Sequence, residues 1–126
     1  MLCNMSTPSR RAAQKIVVVD DDALLSEVLV RALNSHGYTG VTAPNGVMSP
    51  GLTDDASLVI LDAHIPGVDF VSTHKALRAS NVRVLVLSGD PIAPPEVPAD
   101  EYLGKPVDLE VLLSAVNRLA VQAPVE

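Results

Sequence analysis

Two apolar runs in this sequence end in carboxylates, and the spacing of those carboxylates points to where its chemistry lies. Residues 58–67 read LVILDAHIPG: four apolar residues carry Asp62 to the end of a buried strand, and a Pro-Gly turn follows. Residues 16–22 read IVVVDDD, a run of the same form that ends in Asp20, Asp21 and Asp22. If both runs are parallel neighbours in one sheet, Asp20, Asp21 and Asp62 meet at its carboxyl edge, where open α/β sheets bind ligands. Three such carboxylates repel one another, each pair by about 4 kcal/mol at 4 Å and an effective dielectric near 20. A compensating cation is needed. Oxygen ligands without a neighbouring His or Cys pattern suit a hard divalent ion, Mg²⁺ first and Mn²⁺ as its substitute.

Ser88 and Lys105 extend the set, since each directly follows an apolar run, VRVLVL and EYLG. A hydroxyl, an ammonium and a metal around one carboxylate form an electrostatic clamp for a phosphoryl group, with Asp62 as the nucleophile that becomes an acyl phosphate. Taken singly, Asp22 also reads as a helix cap, Asp20 as a solvent-facing residue, Asp62 and Ser88 as turn residues and Lys105 as a surface lysine. What joins them is the recurrence of a polar group at the end of each run.

The elements that must position these groups follow in order. Residues 1–15 are a Ser/Arg/Ala-rich lead-in expected to be disordered, residues 16–121 one domain, and residues 122–126 a short tail. Strands are expected at 16–20, 38–43, 58–61, 82–87 and 101–103. From Leu25, the apolar spacing of Val28, Leu29, Ala32 and Leu33 gives an amphipathic helix capped by Asp22 and closed by Gly37. Asn45-Gly46 leads into a short helical segment limited by Pro50 and Gly51. A helix over 69–79 turns Phe70, Val71, His74 and Leu77 inward. A last helix over 108–121 turns Leu109, Leu112, Leu113, Val116 and Ala120 inward, with Glu110 in its first turn and Arg118 in its last. Residues 89–99 carry Pro91, Pro94, Pro95 and Pro98, which excludes an ordinary helix there. Alternating strands and helices imply an α/β, doubly wound, five-stranded parallel sheet covered on both faces.

Composition narrows the function classes. The 126 residues fit one domain with a core of its own, and nothing remains for a second. Aromatics are 2% of the chain against 48% apolar residues overall, so the core is aliphatic and base stacking is poorly supported. A formal charge of -6 argues against a nucleic-acid footprint. Cys3, the single cysteine, forms no internal disulfide, and no apolar run approaches the roughly 20 residues of a membrane span. A cytosolic protein with no membrane partner is expected.

In order, VVVDDD, LVILDAHIPG, LVLSGD and YLGKPVD resemble the motifs of receiver domains of two-component response regulators, over about residues 15–119. The resemblance implies a flavodoxin-like (βα)5 fold and assigns roles residue by residue. Asp20 and Asp21 match the acidic metal-binding pair, Asp62 the phosphoacceptor, Ser88 the hydroxyl that contacts the phosphoryl group, and Lys105 the lysine that pairs with it. Tyr102 matches the switch aromatic that turns inward when Ser88 is drawn to the phosphate. The backbone carbonyl of His64 is implied as a further metal ligand, the Lys105-Pro106 peptide as cis, and the side chains of His64 and Asp90 as neighbours that tune hydrolysis. The implied partners are a sensor histidine kinase or phosphotransfer protein and a downstream protein, with output by binding or onward transfer, and the domain is a phosphoacceptor rather than an enzyme. Two departures stand out. Phe70 replaces a usual glycine, and the Pro-rich segment is expected to reduce or erase the fourth helix, altering the readout and dimerising face.

Two other readings exist. A small phosphatase similar to the haloacid dehalogenase superfamily would use Asp20 and Asp22 as its Asp-x-Asp motif, but leaves LVILDAHIPG unexplained. A receiver-like module that binds its partner without phosphorylation would be insensitive to Asp62→Asn.

Overall fold

The computed structural model describes residues 14–43, 46, 48–89 and 100–121. Five strands, β1 (Lys15–Val19), β2 (Thr39–Ala43), β3 (Ala56–Asp62), β4 (Arg83–Ser88) and β5 (Glu101–Gly104), form one parallel sheet in the order β2-β1-β3-β4-β5. The three described helices are α1 (Ala23–Ser35), α2 (Phe70–Ala79) and α3 (Leu109–Val121). The strands are legible as continuous apolar runs because the central ones are buried on both faces.

Alternation along each strand divides the core in two. Ile16, Val18, Leu58, Ile60, Leu85 and Leu87 pack with Leu29 and Leu33 of α1 and with Leu112 and Val116 of α3. Their neighbours Val17, Val19, Val59, Leu61, Val84 and Val86 pack on the other face with Leu77 of α2, and Phe70 and Tyr102 lie partly buried against this second cluster. Helices on both faces make the sheet doubly wound, as the sequence implies.

The helix starts are set by carboxylates. Asp22 accepts from the Leu25 amide, Asp69 from the amides of Val71 and Ser72, and Asp108 from those of Glu110 and Val111. Phe70 is the first residue of α2 and packs at a ring-centroid distance of 6.1 Å from His74 one turn later, so the replaced glycine leaves an ordinary helix start. On α3 the buried stripe is Leu112, Ala115, Val116, Leu119 and Ala120, while Leu109 is 37% exposed. The inward face therefore starts at Leu112, one turn later than Leu109 suggests. Residues 48–55 run mostly in turns, so the short helical segment expected between Asn45-Gly46 and Pro50 does not form at residues 48–50; Asn45 and Val47 lie outside the described residues. Residues 1–13, 90–99 and 122–126 also lie outside them, and with them the expectation of a reduced fourth helix; the expected lead-in over 1–15 is corrected at its end, where Lys15 already opens β1 and the Gln14 side chain donates to the Ala120 carbonyl at 3.2 Å. Among the described residues no helix is long and apolar enough to cross a membrane.

Candidate phosphoacceptor site

The register brings the strand ends together. Val19 lies beside Leu61 and Asp62 beside Leu87, so Asp20 follows β1 at the level where β3 ends in Asp62. Ser88 closes β4 beside Gly104, and Lys105 is the next residue along β5. The main chain continues the pattern past the strands: the Ala63 amide donates to the Leu87 carbonyl at 2.9 Å and the Lys105 amide to the Ser88 carbonyl at 2.9 Å.

Each carboxylate has a distinct hold. Asp20 is only 2% exposed, so it does not face solvent; its Oδ1 accepts from the Asp22 amide at 2.8 Å and its Oδ2 from Lys105 Nζ at 3.1 Å. Asp62, 4% exposed, accepts the His64 amide on Oδ1 at 3.1 Å and faces Lys105 Nζ with Oδ2 at 3.4 Å. Asp21 is exposed at the rim. One carboxylate oxygen from each of Asp20, Asp21 and Asp62 lies within 4.8 Å of the others. Lys105 thus spans the two buried carboxylates as their cation.

The electrostatics follow from burial. Burial pushes the Asp62 carboxyl above its usual value, and the Asp20 charge pushes the same way; the His64 amide and Lys105 offset part of this. For Lys105, burial favours the neutral amine, but its hydrogen bond to Asp20 and the charges of Asp62 and Asp20 outweigh it and raise its pKa. Three carboxylates against one ammonium leave the cluster short of positive charge. The donor set is all oxygen and partly open at Asp21, which fits a hard divalent ion such as Mg²⁺.

The loop after β3 makes the open side of the site. Ile65 to Val68 is closed by a hydrogen bond from the Val68 amide to the Ile65 carbonyl at 3.0 Å, with Gly67 at φ 80°, the geometry of a type II turn with Pro66 ahead of the glycine. Gly46, at φ 74°, approaches from the β2 side, where a Cβ would stand 2.9 Å from Ile65 Cγ2 and 3.6 Å from the Asp21 amide nitrogen. The Lys105-Pro106 peptide is cis. Ser88 is buried at the end of β4, Tyr102 is half-buried on β5, and the His64 side chain is exposed beside Asp62. Asp90 lies outside the described residues. His74 is 2% exposed in α2, turned inward as its helical position implies.

Two contributors were not visible in the sequence. Ser26 is buried on α1 with its hydroxyl donating to the Asp20 carbonyl, and Asp100 takes the Val84 amide and Arg78 at the opposite edge of the sheet. The only available signal was a small polar residue between apolar positions of a helix. At that opposite edge a cavity of about 430 Å³ is lined by Arg78, Asn81, Arg83 and Asp100, but its one carboxylate is already committed to those partners.

Comparison with known proteins agrees with the geometry. Residues 16–117 match the response regulator receiver domain family. The transcriptional regulatory protein TcrA of Mycobacterium tuberculosis is 32% identical, over 92% of this chain and 49% of its own length. The chain therefore spans about half the length of that curated relative. Among solved structures, the receiver domain of a Francisella response regulator superposes with a TM-score of 0.76 at 23% identity, covering 88% of this chain and 99% of that one. The Thermotoga maritima response regulator TrrA, solved in complex with Mg²⁺-BeF, does so with a TM-score of 0.72 at 26% identity, covering 84% and 98%. With the acidic pocket of Asp20, Asp21 and Asp62 joined by Lys105 at the carboxyl edge of a 2-1-3-4-5 sheet, this chain belongs to the receiver domains of two-component response regulators, phosphoacceptor modules of signal transduction.

Proposed function

We propose that Asp62 takes a phosphoryl group from a phosphohistidine on a sensor histidine kinase or phosphotransfer protein, and that the resulting charge is read by a protein partner or passed on. The observation that carries this reading is the pair of contacts from Lys105 Nζ, 3.1 Å to Asp20 and 3.4 Å to Asp62, within a cluster of three carboxylates. A carboxylate oxygen of Asp62 attacks phosphorus as the phosphorus–nitrogen bond breaks, and the leaving imidazole keeps the electron pair and takes up a proton. Lys105, free to exchange a carboxylate for a phosphoryl oxygen, offsets the added negative charge. The Ser88 hydroxyl donates to a second phosphoryl oxygen, and Tyr102 moves inward behind it as the switch.

Asp20, Asp21, Asp62 and the His64 backbone carbonyl are the residues that would hold Mg²⁺. When bound, the ion would supply positive charge to the phosphoryl oxygens; the Thermotoga relative was solved in complex with Mg²⁺-BeF. Intact mass after incubation with acetyl phosphate, with and without Mg²⁺, on wild type and Asp62→Asn tests the reading. One added phosphoryl group that requires both Mg²⁺ and Asp62 is expected. An adduct that survives Asp62→Asn, or none together with no beryllofluoride-induced change around Tyr102, would overturn it.

A further inference from the structure

Of the buried polar side chains in the described structure, Ser26 is one that phosphoryl transfer does not use. It is 5% exposed, lies on the first turns of α1, and its hydroxyl donates to the backbone carbonyl of Asp20 at 3.3 Å. The Ser26 amide meanwhile donates to the Asp22 carbonyl at 2.9 Å, and the Asp22 amide donates to Asp20 Oδ1 at 2.8 Å. Asp20 is therefore held at two points, its carboxylate by Asp22 and Lys105 and its main chain by Ser26. This second hold matters because packing around the turn is incomplete on one flank. On the β2 flank of the turn lies a cavity of about 320 Å³, lined by residues that include Asp20, Asp21, Ser26, Val30 and Thr42. A turn with open space on one side leans more on its hydrogen bonds, and a buried carbonyl that loses its donor is under pressure to move toward another.

We infer that Ser26 is a positioning residue: its hydroxyl fixes the β1-to-α1 turn so that Asp20 and Asp21 present their carboxylates toward Asp62 as a preformed divalent-cation site. The inference rests on the proposed function and adds a residue that acts through Asp20 rather than on the metal or the phosphoryl group. Removing the hydroxyl leaves the ligands in place but lets their backbone wander, so metal binding must first restore the turn. Affinity falls while the fold persists. Threonine keeps the hydroxyl donor and adds one methyl group.

The experiment compares wild type, Ser26→Ala, Ser26→Thr and Asp62→Asn by Mg²⁺ titration, following the amide resonances of residues 20–23, with amide hydrogen exchange of Asp22 measured in Mg²⁺-free protein. Ser26→Ala is expected to weaken Mg²⁺ binding by about fivefold to tenfold, the range of one hydrogen bond, and to speed exchange at Asp22. Ser26→Thr should restore both. A serine that serves only stability would lower the unfolding temperature in the alanine variant without shifting the Mg²⁺ midpoint or the Asp22 exchange. That result, or equal Mg²⁺ affinity in wild type and Ser26→Ala, overturns the inference while leaving the site intact. A wild type that does not bind Mg²⁺ overturns the proposed function and this inference with it. Should Ser26→Ala fail to fold, Ser26→Cys keeps the volume with a weaker donor, and the same two readouts decide.

Discussion

Asp62 is held in a state that suits reaction more than stability. Its pKa is raised by burial and by Asp20, so the native protein binds its proton more readily than the unfolded chain does. Stability contributed through this group therefore falls as pH rises from the ordinary 3.8 through the higher native value. Replacing the carboxylate by an amide of the same shape removes that loss. Asp62→Asn in Mg²⁺-free buffer at pH 7 is expected to be more stable by about 1 kcal/mol, a rise of about 3–5 °C in unfolding temperature, with the gain vanishing below pH 4. A lower unfolding temperature for the variant at pH 7 would show that the Lys105 contact outweighs the burial and repulsion. His74 provides the opposite slope. Burial lowers its pKa, the charge of Arg78 adds to that, and Asp100 opposes them in part. The native state keeps the imidazole neutral while the unfolded chain protonates near 6.5, so stability is complete above pH 6.5 and declines as pH falls through 6.5 toward the native value. Urea unfolding between pH 5 and 7.5 should show this decline in wild type and a flatter profile in His74→Leu.

At the scale of elements, the strands and helices were legible because each obeys a local rule. Buried parallel strands read as unbroken apolar runs, and Asp22 announces its helix from the N-cap position; Asp69 and Asp108, read as the first helical residues, are caps in the structure. The site was legible for the same reason, since a polar residue that ends an apolar run is conspicuous. Asp100 and Ser26 were not, because what they bind includes a backbone group, the Val84 amide and the Asp20 carbonyl, which no residue type advertises. The buried face of α3 starts at Leu112 rather than at Leu109, because periodicity fixes the stripe but not which of its turns are covered. Asp100 shows how much such a hidden contact ties together. At the start of β5 its carboxylate reaches Arg78 of α2 at 2.9 Å, Arg83 of β4 at 3.9 Å and the amide of Val84 at 2.8 Å. Asp100→Ala leaves the buried amide without its acceptor and should cost about 2 kcal/mol, whereas Asp100→Asn keeps an acceptor oxygen and should cost about half as much. Equal losses in chemical denaturation would assign the effect to charge rather than to the amide.

The whole molecule joins two halves of the chain at one cluster of like charge. Asp20 and Asp21 arrive on β1 and Asp62 on β3, some forty residues later, so the three carboxylates converge only when the sheet is assembled. Lys105, brought in by β5 from the far end of the sequence, neutralises one charge of the three. An ion that binds this arrangement binds the native state and has little hold on the unfolded chain, so it must stabilise the fold by an amount that grows with the logarithm of its free concentration above the dissociation constant. At a free Mg²⁺ concentration of about 100 times the dissociation constant the gain is about 2.7 kcal/mol, or roughly 10 °C in unfolding temperature for a domain of this size. Thermal unfolding of the wild type should rise with Mg²⁺ and return to its starting value on chelation. In Asp20→Asn and Asp62→Asn the rise should shrink, since each removes one of the converging oxygens. An unfolding temperature indifferent to Mg²⁺ in the wild type would mean that Lys105 alone satisfies the cluster. The same ammonium could not then be released to meet a phosphoryl group on Asp62, so this one thermal titration bears on the fold and on the signalling chemistry together.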